Sequence, residues 1–415
     1  MPIAVDLHSH SSYAGGVGTI QLPSLAETMR YKGIQVFGVG DCLFPAWRKE
    51  YQAQLTETSE NLFHLKGTAA HFIRQTEVIF TVTLSRYKHR IMAHHIILFP
   101  DDNAIDKMTD WLKKKGHKNT IARPFIVCRD EHELQDSLFE IQAIDPRLEI
   151  IPAHILTPDG VLGSKNGLGS WTEFYGDFVS NIHAVETGLS ADPRMLCQIP
   201  DLQGKAVISN SDCHSAALNR VGREFTILDI NEMSYDGIIQ SLRNRKILMT
   251  AEFLPSEGRY YLTGHRADRH EDKSEVCFLD AKDDITLCPL CGKKLLPGVK
   301  SRAKQLSDLS IVPVTQPFMH LIPLIEVIAF ALKLKSVDNN KVIASYKKCL
   351  SIFNTEIELW QSSAENIQEL LDNNLPQEII QHIIAVRKGD FCFDPPGFDG
   401  CYGILNIHLE NTHEC

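Results

Sequence analysis

Six apolar, strand-like runs in the first half of the chain each deliver a histidine or a carboxylate. That repetition narrows the fold more than any other feature. The first run ends in Asp6-Leu7-His8-Ser9-His10. Residues i and i+2 of a strand share a face, so His8 and His10 can meet one cation. Val36-Phe37-Gly38-Val39-Gly40 leads into Asp41, and Phe72-Ile73-Arg74-Gln75-Thr76 leads into Glu77. His94 and His95 stand before Ile96-Ile97-Leu98-Phe99, Glu149 to Ala153 leads into His154, and Ala206 to Ser211 leads into Asp212, with His214 two places on. Taken singly, each is an ordinary hydrogen-bonded loop residue. As a set they match parallel strands whose carboxyl ends converge on one mouth of an α/β barrel, where the active sites of such folds are built. Neutral imidazoles mixed with carboxylates suit zinc, manganese or iron and leave room for magnesium, so a multinuclear metal centre is expected.

These residues resemble the successive motifs of the PHP (polymerase and histidinol phosphatase) superfamily: Asp6 to His10, Gly40-Asp41, Glu77, His95, Pro152-Ala153-His154 and Ser211-Asp212-Cys213-His214. More narrowly, the chain resembles endonuclease Q, the PHP nuclease that cuts DNA beside deaminated bases. Supporting strings are Gly163-Ser164-Lys165, Ala184 to Pro193, Cys288-Pro289-Leu290-Cys291-Gly292 and Pro396 to Gly403, so the resemblance runs nearly end to end. It implies a distorted (β/α)7 barrel of the PHP type, and two or three divalent ions (zinc, manganese or magnesium) in the catalytic centre. One ion would be held by His8, His10, Glu77 and Asp212. A second would share Glu77 and add His95 and His154, with His94 as a neighbour. A third would use Asp41 and His214 with a further histidine, but Ser11 to Gly16 offers none. Clustered divalent ions activate water, orient a phosphate and stabilise the leaving oxygen, so no separate nucleophile is needed. Asp41, Asp212 and His214 are the candidate catalytic residues, with Asp41 or His214 protonating the leaving oxygen if no third metal occupies that corner. Cys213 lies on the opposite strand face from its neighbours and is expected in the core.

Three units are expected: residues 1–251 as the metal-dependent barrel, 252–300 as a zinc-binding segment and 301–415 as a helical domain that binds DNA. Cys288-Pro289-Leu290-Cys291 supplies two thiolates for a structural zinc. His265 is a third donor by the resemblance, but the family's next cysteine is Asp268 here. Cys277 takes its place in the preferred set His265, Cys277, Cys288 and Cys291, and His270 is the alternative. In the first unit helices are expected at Pro23 to Lys32, Asp102 to Lys115, His132 to Ile144 and Tyr235 to Arg245. In the last, Leu324 to Leu332, Glu356 to Leu371 and Gln377 to Arg387 read as helical. The glycine-rich stretch from His154 to Asn181 is long for a loop, and its Trp171, Phe174 and Tyr175 either stack on an extruded base or pack against the barrel.

The net charge of −10 opposes a nucleic-acid partner in the global sense, so local clusters such as Lys113-Lys114-Lys115 and Arg243-Asn244-Arg245-Lys246 must compensate. The opening Met-Pro-Ile-Ala-Val lacks a basic start, no apolar run reaches the ~20 residues that span a bilayer, and 11 cysteines are scattered. A cytoplasmic, nucleoid-associated protein is expected. The leading function is a metal-dependent endonuclease that cuts 5′ to a deaminated base (hypoxanthine, uracil, xanthine) or an abasic site. DNA is its partner, and a sliding clamp is a candidate second. A small-molecule phosphoesterase of histidinol-phosphatase type is the alternative; it would not need the zinc segment or the C-terminal hundred residues. A DNA-binding scaffold with a decayed centre is disfavoured by the retained ligands.

Overall fold

Pro2–Asp6, the first apolar run, forms the middle of a mixed sheet. It lies parallel to Val36–Gly38 and antiparallel to Phe225–Asp229. The computed structural model describes residues 1–273, 276–280, 285–372 and 374–409. Beyond Val36–Gly38 the sheet continues, parallel, into the long strand His71–Val82, and beyond Phe225–Asp229, antiparallel, into Ile247–Glu252. His71–Val82 pairs antiparallel with Ile91–Phe99, which pairs antiparallel with Glu149–Pro152. A short parallel pair, Ala184–Glu186 with Ala206–Ile208, touches Glu149–Pro152 on one side and Ile247–Glu252 on the other. The strands thereby surround an inner core that includes Val5, Leu7, Val36, Ile73, Ile96, Leu98, Ile151 and Ile208. The fold is α/β, but its strands do not alternate regularly with helices. His71–Val82 and Ile91–Phe99 follow each other directly through residues 83–90, where a parallel pair would need a longer crossover.

Helices form an outer layer where sequence signals place them. Asp101, Asp130 and Ser234 each accept a backbone N–H from the first turn of the helix they precede, a cap worth about 1 kcal/mol. The helices run Leu22–Lys32, Asp102–Lys115, Glu131–Gln142 and Tyr235–Arg243. The last differs from the others: Tyr235, Ile238 and Leu242 enter the inner core, and Tyr235 donates to the carbonyl oxygens of Leu98 and Arg147.

The long glycine-rich loop is pinned rather than free. Arg302, buried in the helix Val299–Leu306, donates to the carbonyl oxygens of Leu162 and Leu168. Trp171, Phe174 and Tyr175 are fully buried, which removes them as base-stacking candidates.

In the last third, the single helix expected from Glu356 to Leu371 is two, Glu356–Gln361 and Ala364–Leu371. Ser363 breaks the run by capping the second through the Asn366 N–H. Gln377–Lys388 ends at Gly389 in the left-handed conformation that favours glycine. Glu356 fastens this region to the first helix. It meets Lys32 Nζ at 2.9 Å, with both side chains buried, and accepts from Leu324 N and Tyr346 Oη. Phe318–His320 adds a parallel strand to Ile247–Glu252, so the last third also extends the sheet. Among the described residues no helix is long and apolar enough to cross a membrane.

Candidate metal centre

His8 and His10 leave the end of the first strand on one face, and the residues behind them fix which ring nitrogen points forward. His8 Nδ1 donates to Glu186 Oε1 at 2.9 Å, and His10 Nδ1 lies 3.3 Å from Asp41 Oδ1. A carboxylate on one nitrogen fixes the tautomer and frees the other as a ligand. The forward nitrogens converge on acids. His10 Nε2 lies 3.1 Å from Asp212 Oδ1 and 3.7 Å from Glu77 Oε2, and His8 Nε2 lies 3.6 Å from Asp212 Oδ1 and 3.8 Å from Glu77 Oε1. Among the described residues, the buried His8 Nε2 and Glu77 Oε2 have no hydrogen-bond partner. Buried polar atoms are rarely left so, and here they face donors spaced to share an ion.

Three overlapping donor clusters follow: His8, His10 and Glu77; Glu77, His94 and His154; and His10, Asp212 and His214. Glu77 belongs to two of them. Glu77 Oε1 is 2.7 Å from His94 Nδ1 and 3.5 Å from His154 Nε2.

His95 is the clearest departure from expectation. Glu77 pairs with Ile96 across the antiparallel ladder, so His94 shares its face while His95 shares that of Val78. His95 points outward into the apolar layer, stacks on Phe174 and lies with its Nε2 2.6 Å from Tyr175 Oη. Burial holds its pKa down at about 3, a neutral core histidine. His94 takes the place expected for it.

Asp41 is a second correction. Its carboxylate is buried behind His10, with one oxygen facing the ring and the other accepting Ser11 N–H at 2.6 Å, so it orients His10 and joins no donor cluster. It is therefore not poised to protonate a leaving group. His214, part-exposed beside Asp212, keeps that position.

The centre is tensioned and polarised. Asp41, His154 and Asp212 have φ of +43°, +31° and +44°, a region that costs non-glycine residues on the order of 1–3 kcal/mol each and marks functional sites. Gly188 makes room for His154: a Cβ there would lie 2.4 Å from the His154 Cβ. Burial alone would lower the His8 and His10 pKa values. The Glu186 and Asp212 charges raise His8 to about 9, and Asp212 and Asp41 raise His10 to about 10. Burial pushes the Asp212 and Glu77 carboxyls up, but the surrounding imidazoles, His8 for Asp212 and His94 for Glu77, hold both far below the usual range.

Sequence reasoning missed Glu186, Arg123 and Arg223. Glu186 accepts from His8, the His154 N–H and Asn210, and its signal was present, since it too ends a strand-like run. Arg123 Nη1 lies 3.5 Å from Glu77 Oε2, and nothing in its loop announces it. Arg223 donates to the carbonyl oxygens of Ser211 and Asp212, bracing the turn that carries the acid. Cys213 is buried, and its thiol is pushed up to about 12 by that burial, which rules it out as a nucleophile near neutral pH.

The cysteine segment also revises one ligand. The donors that converge are His265, His270, Cys288 and Cys291. Cys291 Sγ is 3.5 Å from His265 Nδ1, and Cys288 Sγ is 3.4 Å from His270 Nε2. Cys277 faces His265 across the hairpin Thr263–His265 with Cys277–Leu279, beside the site and outside its donor set. The turn at Ala267–Arg269 swings His270 back to the thiols. Burial and the neighbouring Cys288 raise the Cys277 thiol, whereas backbone N–H groups and His270 outweigh burial and lower that of Cys288. Cys277 and Cys288 are hydrogen-bonded to each other and titrate as a pair, and a zinc bound there would deprotonate any thiol that ligates it.

An α/β shell that gathers histidines and carboxylates into overlapping donor clusters at the ends of its strands is the architecture of a metal-dependent hydrolase. No protein-family model matches the chain. It is 28% identical over 417 residues to the protein YqxK of Bacillus subtilis, covering 97% of this chain and 98% of that protein. The crystal structure of PfuEndoQ, a lesion-specific endonuclease from Pyrococcus furiosus, superposes with a TM-score of 0.80 at 26% identity over 98% of this chain and 96% of that one. An endonuclease Q bound to a 27-mer duplex with an abasic lesion at its active site gives 0.81 at 26% identity, over 100% and 99%. Over nearly its whole length the chain is thus similar to solved structures of endonuclease Q.

Proposed function

We propose that the protein is a DNA-repair endonuclease that hydrolyses the phosphodiester 5′ to a deaminated base or an abasic site. The observation that carries this is the convergence of His8, His10, Glu77, His94, His154, Asp212 and His214 on a cavity of about 580 Å³ that they line in part and share with Arg123, Arg220, Arg223 and Arg259. Acidic donors for cations and arginines for phosphate stand in one cleft, despite the chain's net negative charge. The likeness to the abasic-DNA complex over the full chain supports the substrate class.

His8, His10, Glu77 and Asp212 would hold one divalent ion, and Glu77, His94 and His154 a second. His10, Asp212 and His214 are the donors for a third. Bound there, such ions supply an activated water and charge stabilisation for the leaving oxygen. The chain's own residues do the rest. Glu186 and Asp41 keep His8 and His10 in the ligating tautomer. Arg123 and Arg220 draw the phosphate into the cleft. Where no third ion occupies its corner, His214, open to solvent on one side beside Asp212, is the residue placed to pass a proton to the departing oxygen. We infer that residues 1–251 carry the chemistry, that 252–300 hold a structural zinc and that 301–415 grip DNA. A cytoplasmic, nucleoid-associated location with a sliding clamp as second partner completes the reading.

The test is cleavage of end-labelled duplexes carrying one deoxyinosine, one deoxyuridine, one abasic site or no lesion, with manganese, magnesium or EDTA. A metal-dependent nick immediately 5′ to the lesion is expected. Cleavage in EDTA, or equal cutting of the undamaged duplex, would overturn it.

A further inference from the structure

The turn Pro396 to Gly403 is far from the donors in sequence, and none of its residues joins a donor cluster among the described residues. Its folded position gives it a purpose. Gly397 N donates to Ser256 O, Gly403 N to Glu257 O, and Leu262 N to Gly397 O. Asp399 accepts from the backbone of Arg266 at 3.0 Å. A Cβ at Gly397 would lie 2.2 Å from Gly258 O, so the two backbones touch where only glycine fits. The turn is thus sewn to the segment 256–266 that also supplies His265.

What this stitching delivers is Tyr402. Its hydroxyl lies 3.5 Å from Arg223 Nη1, the same guanidinium that braces Asp212 from behind. Arg259 stands 5.6 Å from its ring centroid and 5.7 Å from that of Tyr260, and donates to Gly400 O at 2.9 Å. Tyr402 is 40% exposed and lines the cavity that contains His94, His154, Asp212 and His214. A cavity of about 580 Å³ exceeds what a phosphate alone occupies and is in the range of small-molecule sites. Trp171, Phe174 and Tyr175 are buried, so the aromatic side chains left to meet a base there are Tyr260 and the more exposed Tyr402.

We propose that Tyr402, held by Arg259 and the 396–403 turn, stacks on the nucleobase drawn out of the duplex beside the scissile phosphate, and so sets how well base-bearing lesions are cut relative to baseless ones. Every base presents a π-face to such a ring, and an abasic site presents none. This rests on the endonuclease reading above.

The experiment measures kcat/KM of the full-length, metal-loaded protein on two duplexes that differ only in carrying deoxyuridine or an abasic site. In Tyr402→Ala the deoxyuridine-to-abasic ratio should fall about tenfold, and in Tyr402→Phe it should stay near the wild-type value. An unchanged ratio in Tyr402→Ala, including an equal loss on both duplexes, would overturn the stacking role and leave the endonuclease reading standing. Failure of the wild-type protein to nick either duplex would sink both.

Discussion

The two places where histidines gather with acids or thiols are built on opposite principles. Four of the candidate catalytic donors are backed by a partner inside the shell. Glu186 stands behind His8 and the His154 amide, Asp41 behind His10, and Arg223 behind the Asp212 backbone. Asp6, buried beneath them, accepts the Ser211 and Gly222 N–H groups. The cysteine segment instead has little apolar packing around its donors. Its apolar cluster is Cys277, Cys288 and Leu295, while Leu287 and Leu290, 55% and 49% exposed, face water. The first region holds its donors in place with protein, and on the proposed reading the second would rely on an ion to hold them together. Preorganisation belongs where chemistry demands a fixed geometry, and metal-coupled folding where a short segment lacks a core.

The contrast can be broken in order of effect. Asp212→Asn, which removes the carboxylate charge facing both His8 and His10, should reduce nicking by more than the ~10–100-fold that loss of an orienting group costs, with an unchanged circular dichroism spectrum. A parallel loss of fold would deny the shell its independence. Cys288→Ser should release zinc and expose residues 263–295 to protease, while Cys277→Ser keeps the zinc; metal analysis and limited proteolysis distinguish them. Zinc loss in Cys277→Ser, together with retention in His270→Ala, would restore Cys277 as the ligand. Glu186→Gln should weaken catalytic metal affinity by ~10–100-fold and leave the structural zinc in place, measured by metal titration.

Acidity offers a gentler probe. With His8 at about 9 and His10 at about 10 in the ion-free protein, both rings are protonated at pH 7, and an arriving ion must displace those protons. Binding therefore releases protons, and apparent affinity rises with pH until about 9–10. Calorimetry in buffers of different ionisation enthalpy should register about two protons released per centre at pH 7. No buffer dependence would mean the rings are already neutral.

Most of the catalytic constellation was legible because strand ends announce themselves: His8, His10, Glu77, His154, Asp212 and His214 each follow or interrupt an apolar run and meet in the cleft. His95 was misplaced because adjacent histidines in one strand differ only in face, and the face is set by the register Glu77 with Ile96, which no local signal reveals. Asp41 showed its position and hid its depth behind His10. His270 stood only as the alternative to Cys277, because the turn at Ala267–Arg269 that brings it back to the thiols leaves no mark in the ligand spacing. The α/β character was readable, whereas the antiparallel pairings arise from contacts between neighbouring runs that alternation alone does not rank. Tyr402 was unreadable, since its value comes from a turn packed against a segment some 140 residues away.

Amide hydrogen exchange on the protein with and without its ions tests the central claim, that protein holds the catalytic donors while an ion holds the cysteine segment. After chelation the Ser11 and His154 amides, bonded to Asp41 and Glu186, should stay protected, while those of Cys288, Gly292 and Leu295 exchange freely. Loss of protection at Ser11 and His154 with retention at Cys288 would contradict it.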